Sequence, residues 1–273
     1  MEAVGTGAAF FDLDKTVIAK SATLAFARPL HQAGLLRRRT LLRAAMSQAI
    51  YRMTGADQDK LDRLRDHLIG LTKGMKASRI RELVEETIED VVTPLVYEEA
   101  LELIEQHRQE GRKVVILSIS PEEVVEPLAA HLGVRRVIAT RSEIDQDGHY
   151  VGELSFYAGG TAKAEAIGRM AEEWGIDLGN CYAYSDGITD LPMLEAVGHP
   201  VAVNPDRGLR KIAEERGWPI VRFARPVTLG QRLSAIPKPI PLVSVAATLL
   251  VAAITITLWV RRAVAGGRAE SAG

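Results

Sequence analysis

Apolar positions along the chain repeat with two different periods, and the change between them divides it. "GAAFFD" at 7–12 is a short unbroken apolar run, the pattern of a strand buried on both faces. From 21 to 110 apolar residues recur at i, i+3 and i+4, as in "SATLAFARPLHQAGLL" and "PLVYEEALELIEQHRQEG". They predict a block of helices punctuated by Gly34, Gly55, Gly74 and Gly111. After Gly111 short β-branched runs alternate with amphipathic stretches. "KVVILS", "RRVIAT", "CYAYSD", "PVAVN" and "PIVRF" predict strands, whereas "PEEVVEPLAAHLG", "TAKAEAIGRMAEEWG", "DLPMLEAVG" and "DRGLRKIAEERG" predict helices. "SEIDQDGHYVGEL" predicts a hairpin turning at Asp147-Gly148.

This alternation predicts an α/β fold: a Rossmann-like, three-layer core whose mainly parallel sheet carries helices on both faces. The helical block falls between the first and second strands, as an inserted cap. The predicted organisation is a core at 1–20 and 111–224, a helical cap at 21–110 and a linker at 225–239. A transmembrane helix at 240–260 and a tail at 261–273 follow. The membrane helix rests on "IPLVSVAATLLVAAITITLWV", which carries no charge and is long enough to span a bilayer. Trp259 sits where an interfacial aromatic would. "MEAVGTGAAFFDLDK" has no basic stretch leading into an apolar one, so no secretory signal is expected. The expectation is a single-pass C-terminal membrane anchor with the catalytic domain in the cytoplasm.

Composition narrows this further. The chain is 47 % hydrophobic and 25 % charged, which fits a globular protein with a sizeable core. The net charge of −1 argues against nucleic acid as the main partner. The single cysteine, Cys181, excludes an internal disulfide, and its place in a predicted strand suggests an inert core thiol. The six histidines show no metal-ligand spacing.

Open parallel sheets bind ligands beyond the carboxyl ends of their strands. Asp12, Asp14 and Thr16 follow the first predicted strand, Ser118 the second, and Asp186, Gly187 and Asp190 the strand "CYAYS". Lys163 lies early in a helix at the same rim. Aspartates one residue apart at the end of a buried strand repel each other, and a cation would balance them. An all-oxygen donor set suits Mg²⁺. Once its charge is balanced, a carboxylate can attack a phosphoryl group as a nucleophile. Phosphoryl transfer then needs positioning and charge neutralisation, which Lys163, the Ser118 hydroxyl and loop amides near 13–16 would supply. Asp14 is placed to protonate a leaving group and later to accept a proton from water.

"DLDKT", "LSIS", "TAKAEAI" and "YSDGITDLPML", in this order and spacing, resemble the haloacid dehalogenase (HAD) superfamily of phosphatases over about residues 7–223. The helical insert resembles its phosphoserine-phosphatase-like branch, subfamily IB. The resemblance implies that Asp12 is the nucleophile and a metal ligand, and Asp14 the acid/base, its carbonyl a further ligand. Thr16 supports the first loop, Ser118 and Lys163 bind phosphate, Asp186 is a metal ligand, and Asp190 supports the metal's water shell or Lys163. One stretch departs from the phosphoserine phosphatases, which place acids soon after the first motif to hold a substrate ammonium. Here Lys20 and Ser21 stand there, and the next acid is Asp57.

The expected activity is Mg²⁺-dependent hydrolysis of a small phosphorylated metabolite through an aspartyl-phosphate, with phosphoserine among the candidates. Three alternatives remain open at this point. They are a lysophospholipid or phospho-headgroup substrate at the membrane, a membrane-tethered binding module without turnover, and transfer to an acceptor other than water.

Overall fold

The computed structural model describes residues 7–35 and 72–225. The predicted membrane helix at 240–260, the tail, nearly all of the linker and the middle of the predicted cap lie outside the described residues. Among the described residues, no helix is long and apolar enough to cross a membrane.

The strands β1 (Ala8–Asp12), β2 (Lys113–Pro121), β3 (Arg136–Ile144), β4 (Tyr150–Phe156), β5 (Tyr182–Ser185), β6 (His199–Val203) and β7 (Ile220–Val221) form one sheet. Its order is β4-β3-β2-β1-β5-β6-β7, parallel throughout except for the β3–β4 pair. The apolar run of β1 therefore lies at the centre of the sheet, where every residue from Ala8 to Asp12 is buried.

Alternate residues of β1 serve two different cores, as the two-residue strand period requires. Ala9 and Phe11 face α3 (Ala77–Val91), α4 (Glu98–Gln109) and α5 (Glu122–His131). The short helices α1 (Ala22–Ala25) and α2 (Ala27–Gln32) join this layer through Ala22 and Leu30. Ala8 and Phe10 face α6 (Thr161–Trp174), α7 (Leu191–Glu195) and α8 (Arg207–Arg216) through Ile167, Met193 and Leu209. This is the three-layer α/β core with a mainly parallel sheet. Cys181 is buried within it, its sulfur accepting from the Ala8 amide, and burial raises the thiol's pKa.

Three local features differ from the pattern-based expectation. β2 continues past "KVVILS" to Pro121, because a bulge between Ser118 and Pro121 lets it resume pairing with β3. β3 runs without a break into the first arm of the hairpin, whose loop contains Gly148 at φ 82°. The third difference is α4. It falls within the predicted cap, yet it covers the sheet, burying Ala100, Ile104 and His107. Amphipathic periodicity marked its apolar face correctly but could not say which partner that face meets.

The inserted segment is fastened at both ends by strand-like pairing. Residues 17–19 run beside 95–97, with the Tyr97 amide donating to Val17 O and the Ala19 amide to Leu95 O. Residues 74–77 extend the hairpin in the same way, through Gly74 N to Tyr150 O and Ala77 N to Gly148 O.

His107 shows how the core handles a polar group. Arg112 Nη1 donates to Nδ1 at 3.1 Å, so the other ring nitrogen carries the hydrogen and donates to the Tyr184 hydroxyl at 2.8 Å. Burial, reinforced by Arg112, lowers the imidazole from 6.5 to about 4, so it is neutral in the folded protein. The unfolded chain binds a proton there that the folded one refuses. Stability should therefore rise with pH across the window from about 4 to 6.5 and fall as pH is lowered through it. In thermal melts, His107→Gln should flatten that part of the pH dependence. An unchanged slope would show that His107 is not its source.

Candidate active site

The loop after β1 turns sharply around one carbonyl. Leu13 N–H donates across to Leu117 O, while Leu13 O accepts from Val17 and Ile18. Lys15 occupies the left-handed region at φ 63°, a conformation that costs a non-glycine residue roughly 1–2 kcal/mol. The turn leaves Asp12 and Thr16 buried and Lys15 exposed. Thr16 Oγ1 is buried without a hydrogen-bond partner.

Beside β1, the β2 bulge brings two hydroxyls to the same rim. Ser118 is buried, and its Oγ accepts from Ser120 N–H at 3.0 Å. Ser120 Oγ in turn donates to Asp14 Oδ2 at 3.1 Å, while Asp14 Oδ1 accepts from the Ala22 amide at 2.6 Å. Both oxygens of Asp14 are thus engaged at the start of α1. Burial raises its pKa against these hydrogen bonds.

Lys163 crosses to the same rim from the first turn of α6. That helix is entered through Gly160, at φ 56°, and Gly159, where any Cβ would sit 2.4 Å from the Tyr157 ring. The lysine is 1 % exposed, which is rare for an ammonium without partners. It has two: Nζ lies 2.6 Å from Asp12 Oδ1 and 2.9 Å from Asp190. Burial alone would lower its pKa, but the Asp12 and Asp190 carboxylates overcome this and raise it, so the charge is kept. Ser185 Oγ donates to Asp190 at 2.7 Å.

The charges at the rim are unbalanced. Burial raises the Asp12 carboxyl well above its usual range. Lys163 pulls it back, while Asp190 and Asp14 push it further up. Burial also pushes Asp186 up to about 6, with Lys15 opposing at 3.5 Å. Four buried or half-buried carboxylates meet one buried ammonium and one exposed one.

The scan against protein families matches residues 9–195 to the haloacid dehalogenase-like hydrolase family. This chain belongs to that family. A probable phosphatase of Mycobacterium tuberculosis is 54 % identical over 228 residues, covering 84 % of this chain and 79 % of that one. Phosphoserine phosphatase SerB1 of the same organism is 32 % identical over 220 residues, covering 80 % and 71 %. A solved structure of a Bordetella pertussis protein of unknown function is 27 % identical. It superposes with a TM-score of 0.68, covering 79 % of this chain and 97 % of the other.

In this haloacid dehalogenase-like hydrolase, the residues singled out by sequence converge on the carboxyl ends of β1, β2 and β5. Asp12, Lys163 and Asp190 are directly linked, and Asp14 is joined to the β2 bulge through Ser120. Asp186 contacts neither Asp12 nor Lys163; its partner is Lys15. Four residues escaped the sequence reading: Lys15, Ser120, Ser185 and Asp206. The Asp206 carboxylate accepts from Ile188 N and Leu209 N, so it caps α8 and holds the turn that carries Asp190. An aspartate just before a helix was the available signal for it.

The donor set of this HAD hydrolase fits a hard divalent cation. Among the described residues, Asp12 Oδ2 accepts no hydrogen bond and the Asp186 side chain is held by one exposed lysine, Lys15. Burial makes both costly to ionise without added positive charge. Among the described residues, no three acidic, histidine or cysteine side chains form a ready-made cage.

Proposed function

We propose that this hydrolase is a Mg²⁺-dependent phosphomonoesterase that forms an aspartyl-phosphate on Asp12. The observation that carries the reading is the buried Asp12–Lys163–Asp190 chain at the end of the central strand. A buried ammonium fixed between two carboxylates orients one of them without dissipating its charge into solvent. The names of the two mycobacterial relatives support the same reading.

Bound Mg²⁺, held by Asp12, Asp186 and the Asp14 main-chain carbonyl, would neutralise the carboxylates and the substrate's phosphoryl oxygens. Asp12 attacks phosphorus, and the bond to the leaving oxygen breaks. Asp14, whose pKa burial raises, gives a proton to the leaving oxygen. It then takes a proton from the water that attacks the phosphorus of the aspartyl-phosphate, which releases inorganic phosphate and restores the Asp12 carboxylate. Lys163 and the hydroxyls of Ser118 and Thr16 bind the phosphoryl group, and Asp190 with Ser185 holds Lys163 in place. The insert closes over the site and excludes water during the first step. The substrate is a small phosphorylated metabolite. The uncharged stretch 240–260 supports a membrane anchor.

The test is phosphate release from 4-nitrophenyl phosphate by the full chain. Turnover should need Mg²⁺, disappear with a chelator and return when Mg²⁺ is restored. Turnover indifferent to the chelator would remove the metal from the proposal. No release from any phosphomonoester by folded, Mg²⁺-saturated protein would remove the activity.

A further inference from the structure

α1, α2 and α3 wall a cleft of about 930 Å³ that the hydrolytic chemistry leaves without a role. It adjoins the catalytic rim at Lys15 and at the start of α1. Lys15, which reaches Asp186, is part of its lining, and the first residue of α1 donates its amide to Asp14. The volume lies near the top of the range of about 300–1,000 Å³ typical of ligand sites. A three-carbon phosphoester would leave most of it to water.

The lining has a definite chemistry. Leu24, Leu83, Val91 and Leu95 form apolar wall, and Leu24 is 41 % exposed there. Among the described residues, Lys15, Lys20 and Arg28 bring three positive charges against one acid, Asp90, on the last turn of α3. Lys20 and Arg28 are exposed and make no ion pair among the described residues, so their charge is not spent within the fold. No acid follows the first motif until Asp57, so the stretch that begins the cleft offers nothing to an ammonium.

We infer that this cleft binds the part of the substrate that is not transferred, and that this part carries an anionic group on an apolar stem. The inference rests on the phosphomonoesterase reading and gives it a substrate class. A substrate ammonium would sit beside Lys20 and Arg28, cations unpaired among the described residues, and this costs binding energy, whereas a carboxylate or second phosphate would gain it. Amino-bearing phosphoesters, phosphoserine included, become poor substrates for this chain.

Three aryl phosphates that share a phenolic leaving group test this on the full chain. They are 3-(4-phosphooxyphenyl)propanoate, 4-ethylphenyl phosphate and phosphotyramine, whose tails are anionic, neutral and cationic. The expected order of kcat/KM is anionic, then neutral, then cationic, with the extremes apart by about tenfold or more. In a folded Lys20→Gln/Arg28→Gln double variant, the ratio of the extremes should fall towards one. Turnover of all three without that order, or with ammonium preferred, overturns the inference and leaves the phosphomonoesterase reading standing. A wild-type ratio that survives the double substitution also overturns it. If none of the three is turned over, 4-nitrophenyl phosphate and other phosphomonoesters decide the activity, and calorimetric affinities for the same three compounds decide the cleft. The same charge order, lost in the double variant, upholds it; equal affinities refute it.

Discussion

Asp12→Asn should abolish phosphate release, by about a thousandfold or more in kcat, while the protein still folds. An amide oxygen is not a competent nucleophile towards phosphorus, and the replacement is isosteric, so the effect falls on chemistry rather than packing. The energetics favour a folded variant. Burial makes the wild-type carboxylate costly to ionise, and the amide removes that cost. Lys163 loses one charged partner but keeps Asp190 at 2.9 Å. Phosphate release and thermal melts measured side by side check both halves. A folded variant with near wild-type turnover would exclude Asp12 as the nucleophile.

Lys163→Met should damage stability and activity together. The ammonium is 1 % exposed and stands between Asp12 and Asp190. Methionine fills much the same volume but leaves two buried carboxylates facing each other. Breaking a buried ion pair from one side costs about 3–5 kcal/mol, which in a chain of this size corresponds to a Tm loss of about 10 °C. The sign of the pH effect follows from the orphaned acids. Without Lys163 their folded-state pKa values rise above the unfolded ones, so the folded variant prefers them protonated. The Tm gap between wild type and variant should therefore widen as pH rises and narrow in mild acid. A gap that is small and independent of pH would show that Lys163 does not carry the charge balance of the site.

The two aspartates of "DLDKT" were legible because their repulsion at the end of an apolar run demands an explanation wherever the chain folds. The strands of the core were legible because parallel sheets leave β-branched runs between amphipathic helices. Ser120 and Ser185 were not. A serine after a strand is common, and its role depends on a carboxylate brought close by the fold, Asp14 in one case and Asp190 in the other. Lys15 was hidden for a related reason. The fold brings Lys15, in a left-handed turn, within 3.5 Å of Asp186, a residue far away in the sequence. The position of α4 on the sheet was equally out of reach, since the face that buries Ile104 and His107 would look the same against another cap helix.

The place of β1 in the sheet also governs how the protein can be made. This strand leaves the ribosome well before both of its neighbours: Ala8 pairs with Lys113, and Ala9 with Tyr182. Such distant pairings raise the contact order and slow the search for the native state. "AAFFD" must wait with one edge unpaired until β2, and the other until β5, has been synthesised. During that interval it is the segment most open to chaperones and to wrong partners. Asp12 is thus made early and positioned late, so a chain terminated before β5 contains Asp12 but cannot assemble the rim around it.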